Sequence, residues 1–337
     1  MDQPNTQSGN QGGTLDALIT KVRTYPGLTR KQPIQEVFQK LVREQSFGPQ
    51  LPNYGDDTAV IPWGEAFLLL AADGIMPQLL INEPYAAGKA AVMVSVNDIY
   101  AMGGRPIAMV NVLACGDPKR RAEVLEGIKK GCQKLRVPMV GGHLHPDAPD
   151  QGTALSVAIL GSAKKVLRSH RAKAGDDLIL AVDLNGQAGC SSVVSWDANS
   201  GKSSPEILYR LDALPLIAER ELARAAKDIS NAGILGTIAI MMENSGLGAI
   251  IDLPSIPRPA GIDFNDWLVA FQSFSFIFSV PIEHSSQVCS LFKDRNIAAA
   301  IIGKVTLEPK VILRNGPQEQ TLFDFSLDRI TGITVLE

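Results

Sequence analysis

Lys89-Ala-Ala-Val-Met-Val-Ser-Val-Asn-Asp-Ile-Tyr-Ala-Met-Gly-Gly-Arg-Pro106 follows Pro84 and ends on Gly103-Gly104. Proline opens helices and glycine closes them, so the spacing predicts a helix between these signals. Nearly every residue in it is apolar, which predicts burial on most sides. Asp98 is the exception. Its neighbours one turn away are Val94, Ala101 and Met102, with Ala91 a turn further back. An ionised carboxylate there loses several kcal/mol of hydration unless a cation or a set of donors replaces the water. The helix C-terminus also disfavours negative charge. Two penalties without a local offset point to a ligand; a partly exposed acid at a helix end is the plainer reading.

Outward from this helix, Ala66-Phe-Leu-Leu-Leu-Ala-Ala-Asp73 reads as a strand covered on both faces, with a shorter one at 58–61 before it. Downstream come strand 107–114, helix 119–135, strand 137–140 running into Gly141-Gly142-His143-Leu144-His145, and strand 154–160. Upstream, Thr14 caps a helix to Arg23 and Pro33 opens another to Glu44, while polar residues 1–13 are expected to be disordered. Alternating strands and helices give an α/β or α+β class. The pattern restarts after the basic run 164–173, so the expected domains are 14–168 and 169–337. The second half has strand 178–182, a Gly/Ser-rich loop at 185–204, helical stretches within 205–226 and a turn at 228–233. Helix 234–244, strands 249–253 and 274–280, helix 284–294 and strand 298–302 complete a unit resembling β-α-β-β-α-β order. The tail from Pro309 reads as further strands.

With 337 residues, 45% hydrophobic and 20% charged, the chain has the composition of a globular enzyme. A net charge of −3 gives no reason to expect nucleic acid or an anionic membrane as partner. Cys115, Cys132, Cys190 and Cys289 lack the spacing of a zinc site or a disulfide framework. No run reaches the ~18 apolar residues of a membrane span, and no leader precedes the first helix, so a cytoplasmic protein is expected.

Acids stand where the chain turns: Asp56-Asp57, Asp73, Asp98 and Asp228. Two carboxylates ~4 Å apart repel by about 4 kcal/mol at an effective dielectric near 20, so converging aspartates need cations between them. An oxygen-only donor set selects Mg²⁺ or Mn²⁺, and Mg²⁺ on a few carboxylates usually shares its remaining positions with nucleotide phosphates. His143 and His145 alternate on one strand face. They read either as a metal pair, as in a carboxylate-bridged metallohydrolase, or as one hydrogen-bonded and one solvated histidine. The backbone of Gly141 and Gly142 is open enough to approach a phosphate.

Together, Gly-Asp-Asp-Thr-Ala-Val-Ile (55–61), Ala-Ala-Asp-Gly (71–74), the Asn-Asp-Ile-Tyr-Ala-Met-Gly-Gly block (97–104), Val-Gly-Gly-His (140–143), Lys-Ala-Gly-Asp-Asp-Leu-Ile (173–179) and Asp-Ile-Ser-Asn-Ala-Gly (228–233) resemble the aminoimidazole ribonucleotide (AIR) synthetase superfamily. That superfamily includes thiamine-monophosphate kinase, selenophosphate synthetase and the hydrogenase-maturation dehydratase. The resemblance implies an N-terminal sheet that pairs with a second subunit's into a barrel, hence a homodimer, and a C-terminal α/β domain with a ferredoxin-like core. It implies ATP and Mg²⁺ as cofactors and a small, nitrogen-containing substrate whose oxygen takes the phosphate. Asp57, Asp73, Asp98 and Asp228 would be metal ligands, with Asp57, Asp98 and Lys89 catalytic. Lys89, Asn97 and Ser230 would lie near the nucleotide phosphates, with Asp56, Gly141, Gly142 and His143 completing the contacts. Departures are Asn231, where the thiamine kinases carry an acid, and the acid-free stretch Phe271-Gln-Ser-Phe-Ser-Phe-Ile-Phe278. They leave two alternatives: an ATP-binding partner with reduced catalysis, or a thiamine-monophosphate-kinase-like enzyme.

Overall fold

The computed structural model describes residues 15–43 and 55–335. The disorder expected for 1–13, the helix end expected at Glu44 and most of the turn region before Asp56 lie outside them. Helix Leu15–Thr24 forms as expected, whereas the helix opened by Pro33 runs Ile34–Phe38 and widens into a π turn at Gln39–Arg43.

The central stretch is helical over Pro84–Ala101, and Gly103 ends it with a φ of 78°, a backbone state that a side chain disfavours. Val92, Val96 and Ile99 are fully buried, each contributing about 1.5–3 kcal/mol. Helix Pro118–Leu135, capped by Asp117 on the N–H groups of Lys119 and Arg120, packs against it. A Cβ on Gly88 would stand 2.2 Å from the Val124 carbonyl oxygen, and one on Gly127 2.2 Å from that of Tyr85. The two helices therefore meet backbone to backbone.

The first sheet contains β1 (Ala59–Trp63), β2 (Ala66–Gly74), β3 (Arg105–Ala114), β4 (Met139–His145) and β5 (Ala154–Ala163), in the order β1-β2-β5-β3-β4. Only β3 and β4 pair in parallel, as the helical crossover between them requires. β4 starts later than expected and carries on through Gly-Gly-His-Leu-His. Helix Pro84–Ala101 covers one face of the sheet. On the other, Leu70, Val110 and Val112 stay exposed.

Next come β6 (Asp177–Val182), β7 (Gln187–Ala188), β8 (Ser195–Asp197), β9 (Ala225–Asp228), β10 (Gly248–Asp252), β11 (Phe271–Gln272), β12 (Ser275–Val280), β13 (Ala298–Thr306), β14 (Lys310–Asn315) and β15 (Gln318–Asp324). Seven of them form a sheet in the order β15-β14-β10-β13-β6-β12-β9, and β11-β8-β7 form a small separate one. Within the larger sheet β13-β6-β12-β9 are antiparallel neighbours. Helices Ser204–Leu211 and Ala213–Glu219 join β6 to β9, and Ser285–Lys293 joins β12 to β13. This is the expected ferredoxin-like order. Two details differ from the sequence reading: residues 225–226 begin β9 rather than end a helix, and β10 lies beside β13 outside the four-strand unit.

Past β15 the chain returns to helix Gly233–Ser245. There the N–H groups of Ile330, Thr331 and Gly332 and the Thr331 hydroxyl all donate to the buried Glu243 carboxylate, at 2.7–3.1 Å. Glu243→Ala strands three backbone donors. It should cost about 3 kcal/mol or more, since one hydrogen bond to a charged group is worth ~1.5–3 kcal/mol. The check is the urea midpoint, and an unchanged midpoint would show the carboxylate to be idle. No helix among the described residues is long and apolar enough to cross a membrane.

Candidate active site

Asp73 ends β2, Asp228 ends β9, Asp98 projects from helix Pro84–Ala101, and Asp57 leads into β1. All four line one cavity of about 350 Å³, between the first sheet's helix-covered side and the second sheet. On the helix, Ala90, Val94 and Asp98 line it at four-residue spacing, a single face.

The loop that presents Asp57 is tied down on all sides. Gly55, with a φ of 84°, needs its missing side chain: a Cβ would stand 2.5 Å from the Asn244 amide. The Gly55 carbonyl accepts from Asn244 Nδ2 at 2.8 Å and Ser169 Oγ at 2.9 Å. Asp56 Oδ2 accepts from Arg168 Nε at 2.6 Å, and its Oδ1 from the Ser169 N–H at 2.7 Å. Burial alone would push the Asp56 carboxyl up, but His170, Arg168 and the Ser169 N–H together hold it below its ordinary value.

The cavity acids behave oppositely. Burial, then the charges of Asp73, Asp228 and Asp57, hold Asp98 well above the ordinary carboxylate range, with Asp73 as its hydrogen-bond partner. Burial, then Asp57, push Asp228 up to about 8 against the pull of Lys227. Asp57 is also raised by burial, less so because Lys227 donates to its Oδ1. Its Oδ2 is buried and has no hydrogen-bond partner. An all-oxygen set with an unpartnered carboxylate oxygen and crowded negative charge suits Mg²⁺. Among the described residues no three acids or histidines already close on one point. Mg²⁺ usually takes only one or two carboxylates directly, the remainder of its shell being water and phosphate.

The other expected site residues divide between this cavity and other places. Ser230 and Asn231 do line the acid cavity. Asp56 borders it, but its carboxylate is committed to Arg168 and Ser169 and is 0% exposed. Lys89 instead lines an adjoining cavity and donates to Ser200 Oγ at 2.8 Å. Asn97 lines neither cavity; its buried amide donates to the Ser273 carbonyl at 3.2 Å. Gly141, Gly142 and His143 lie on exposed edge strand β4 and line neither of these two cavities. His143 and His145 do share a face, with ring centroids 4.6 Å apart, but no third ligand joins them among the described residues. The metallohydrolase reading lacks that ligand.

The AIR synthase related protein N-terminal domain matches residues 55–163, and the corresponding C-terminal domain matches 173–314. The uncharacterised protein sll0787 of Synechocystis sp. is 35% identical over 320 residues, covering 95% of this chain and 99% of its own. The chain belongs to the AIR synthase related family. Selenide, water dikinase of Colwellia psychrerythraea is 31% identical over 230 residues, 63% of each chain. In fold, this AIR synthase related chain superposes on AaThiL complexed with AMPPCP and TMP at a TM-score of 0.63 and 19% identity, covering 86% of this chain and 95% of that one.

Lys227 escaped the sequence reading. It is buried, donates to Asp57 and the Gly55 carbonyl, and sets a fixed cation among the acids. Its signal was a lysine beside Asp228 in an otherwise apolar run, masked by taking 225–226 as helix. Thr331 and Ile333, also on the cavity wall, carry no local signal; hydrogen bonds of this downstream segment to Glu243 and Asn244 bring them there.

Proposed function

We propose that this protein is an ATP- and Mg²⁺-dependent phosphotransferase or synthetase. Its acceptor would be an oxygen of a small, nitrogen-containing metabolite. The observation that carries the reading is the meeting of Asp57, Asp73, Asp98 and Asp228 in one cavity with an unpartnered Asp57 oxygen. Kinship with selenide, water dikinase and a fold shared with a protein solved with AMPPCP support it. The four aspartates would hold Mg²⁺, which when bound neutralises phosphate charge. Lys227 orients Asp57 and keeps a fixed positive charge at the acid cluster. The Asp56–Arg168 pair and Asn244 hold the loop still, so catalysis here is mostly positioning. Calorimetry with AMPPCP should show binding with Mg²⁺ and none after chelation; metal-independent binding would refute the reading. Asn231 on the cavity wall favours one other reading, a nucleotide binder with reduced catalysis. Mg²⁺-dependent ATP binding with no phosphate released from any nitrogen-containing acceptor would select it.

We further propose that the chain works as a homodimer through its first sheet. Leu70, Val110 and Val112 leave an apolar face open, and β4 is an exposed edge beside it. Light scattering should give twice the mass of one chain, and Val112→Lys should return it to the monomer mass. A wild-type protein that stays monomeric at high concentration would refute the dimer.

A further inference from the structure

The cavity that takes Lys89 has a volume of about 440 Å³ and shares Leu79, Ala90, Val193 and Phe271 with the acid cavity. The two adjoin, with these four apolar residues lining both. Three lysines line it: Lys89 from helix Pro84–Ala101, and Lys130 and Lys134 from helix Pro118–Leu135. They are brought together by the backbone contact of these helices at Gly88 and Gly127. Lys89 spends one proton on Ser200 Oγ. Neither Lys130 nor Lys134 has an ion-pair partner among the described residues. Burial, then the charges of Lys130 and Lys89, pull the Lys134 pKa down against the smaller opposing pull of Asp197 and Glu206.

The acids on this cavity are already engaged. Glu83 accepts from the Ser192 N–H at 3.0 Å and from the hydroxyls of Ser191 and Ser192 at 3.0 and 2.8 Å. Asp197 accepts from the N–H groups of Asn199 and Ser200 at 2.9 Å each. The remaining wall is largely apolar, with Met93, Leu135 and Trp196 prominent. An apolar cavity with a few convergent cations suits a small organic anion.

We propose that this second cavity is the acceptor pocket, and that it selects a metabolite bearing a phosphate or carboxylate group on an apolar body. The anionic group sits among Lys89, Lys130 and Lys134, which places the far end of the molecule at the wall shared with the acid cavity. There the acceptor oxygen bonds to the γ-phosphorus of ATP as the bond from that phosphorus to ADP breaks, and the acceptor's proton is lost to water. The assignment rests on the phosphotransfer reading above.

The test is calorimetry on the full chain saturated with Mg²⁺ and AMPPCP, titrated with phenyl phosphate, benzoate and benzyl alcohol. Phenyl phosphate or benzoate should bind, and benzyl alcohol should not; which anion binds distinguishes phosphate from carboxylate. The double substitution Lys130→Gln, Lys134→Gln should weaken the anion by about tenfold or more, as expected for losing charged hydrogen bonds, and leave AMPPCP affinity and the melting temperature unchanged. If AMPPCP affinity falls with the anion's, the cavity belongs to the nucleotide and the proposal is wrong. If AMPPCP binds but neither anion does, the pocket assignment is wrong while phosphotransfer stands. If AMPPCP shows no Mg²⁺-dependent binding, both are wrong.

Discussion

Asp98→Asn should abolish Mg²⁺-dependent nucleotide binding and leave the unliganded fold as stable as before, or more so. The two halves of this expectation have one cause. Asp98 is repelled by Asp73, Asp228 and Asp57 and penalised by burial, which together favour its neutral form and hold its carboxyl well above the ordinary carboxylate range. An asparagine amide presents an N–H where the neutral acid presents an O–H, so the unliganded cavity barely notices the exchange. A metal does notice, because an amide oxygen brings no charge to offset the ion's lost hydration. The loss should exceed the ~10–100-fold typical of losing an outer partner of a metal ligand. Calorimetry with AMPPCP and Mg²⁺ measures the first half and thermal melting the second. A variant that keeps wild-type affinity would remove Asp98 from the metal set. One that unfolds would show its carboxylate to be structural.

The sequence disclosed this cavity unevenly, for physical reasons. The central helix was legible because Pro84, Gly103 and its run of apolar residues agree, and Asp98 stood out as a charge with no local partner. Lys89 shows where linear proximity misled. It lies nine residues before Asp98, about 2.5 helical turns, so the two project from opposite sides of the helix and meet different cavities. Asp56 and Asp57 are adjacent in one motif, yet one clamps Arg168 and the other faces the cavity. The strands β7 and β8 span two and three residues and are too short to show a period, so 185–204 read as loop. The burial of Glu243 depends on a segment some ninety residues downstream, a contact that no local pattern encodes.

Divalent-cation affinity should rise with pH by about tenfold per unit, for each proton displaced, as pH climbs toward about 8. Asp228 gives the window, because burial and then Asp57 push its pKa up to about 8. Below that value the carboxyl holds a proton that a metal must expel. Stability follows with a definite sign. A carboxyl whose folded pKa lies above its unfolded value binds more protons when folded, so stability falls as pH rises from the ordinary carboxylate range to about 8. Asp98 and Asp57, also raised, act in the same direction. Asp56 is lowered, and its contribution is lost only on acidification. The unliganded protein should therefore melt at a lower temperature at pH 8 than at pH 6. Mg²⁺ should reverse that order, because it replaces the missing protons only where the carboxylates are free to take it. Melting curves at both values, with and without the ion, test the argument directly. A Mg²⁺ stabilisation of equal size at pH 6 and pH 8 would mean that the acids are already ionised, and that something other than a cation holds them together.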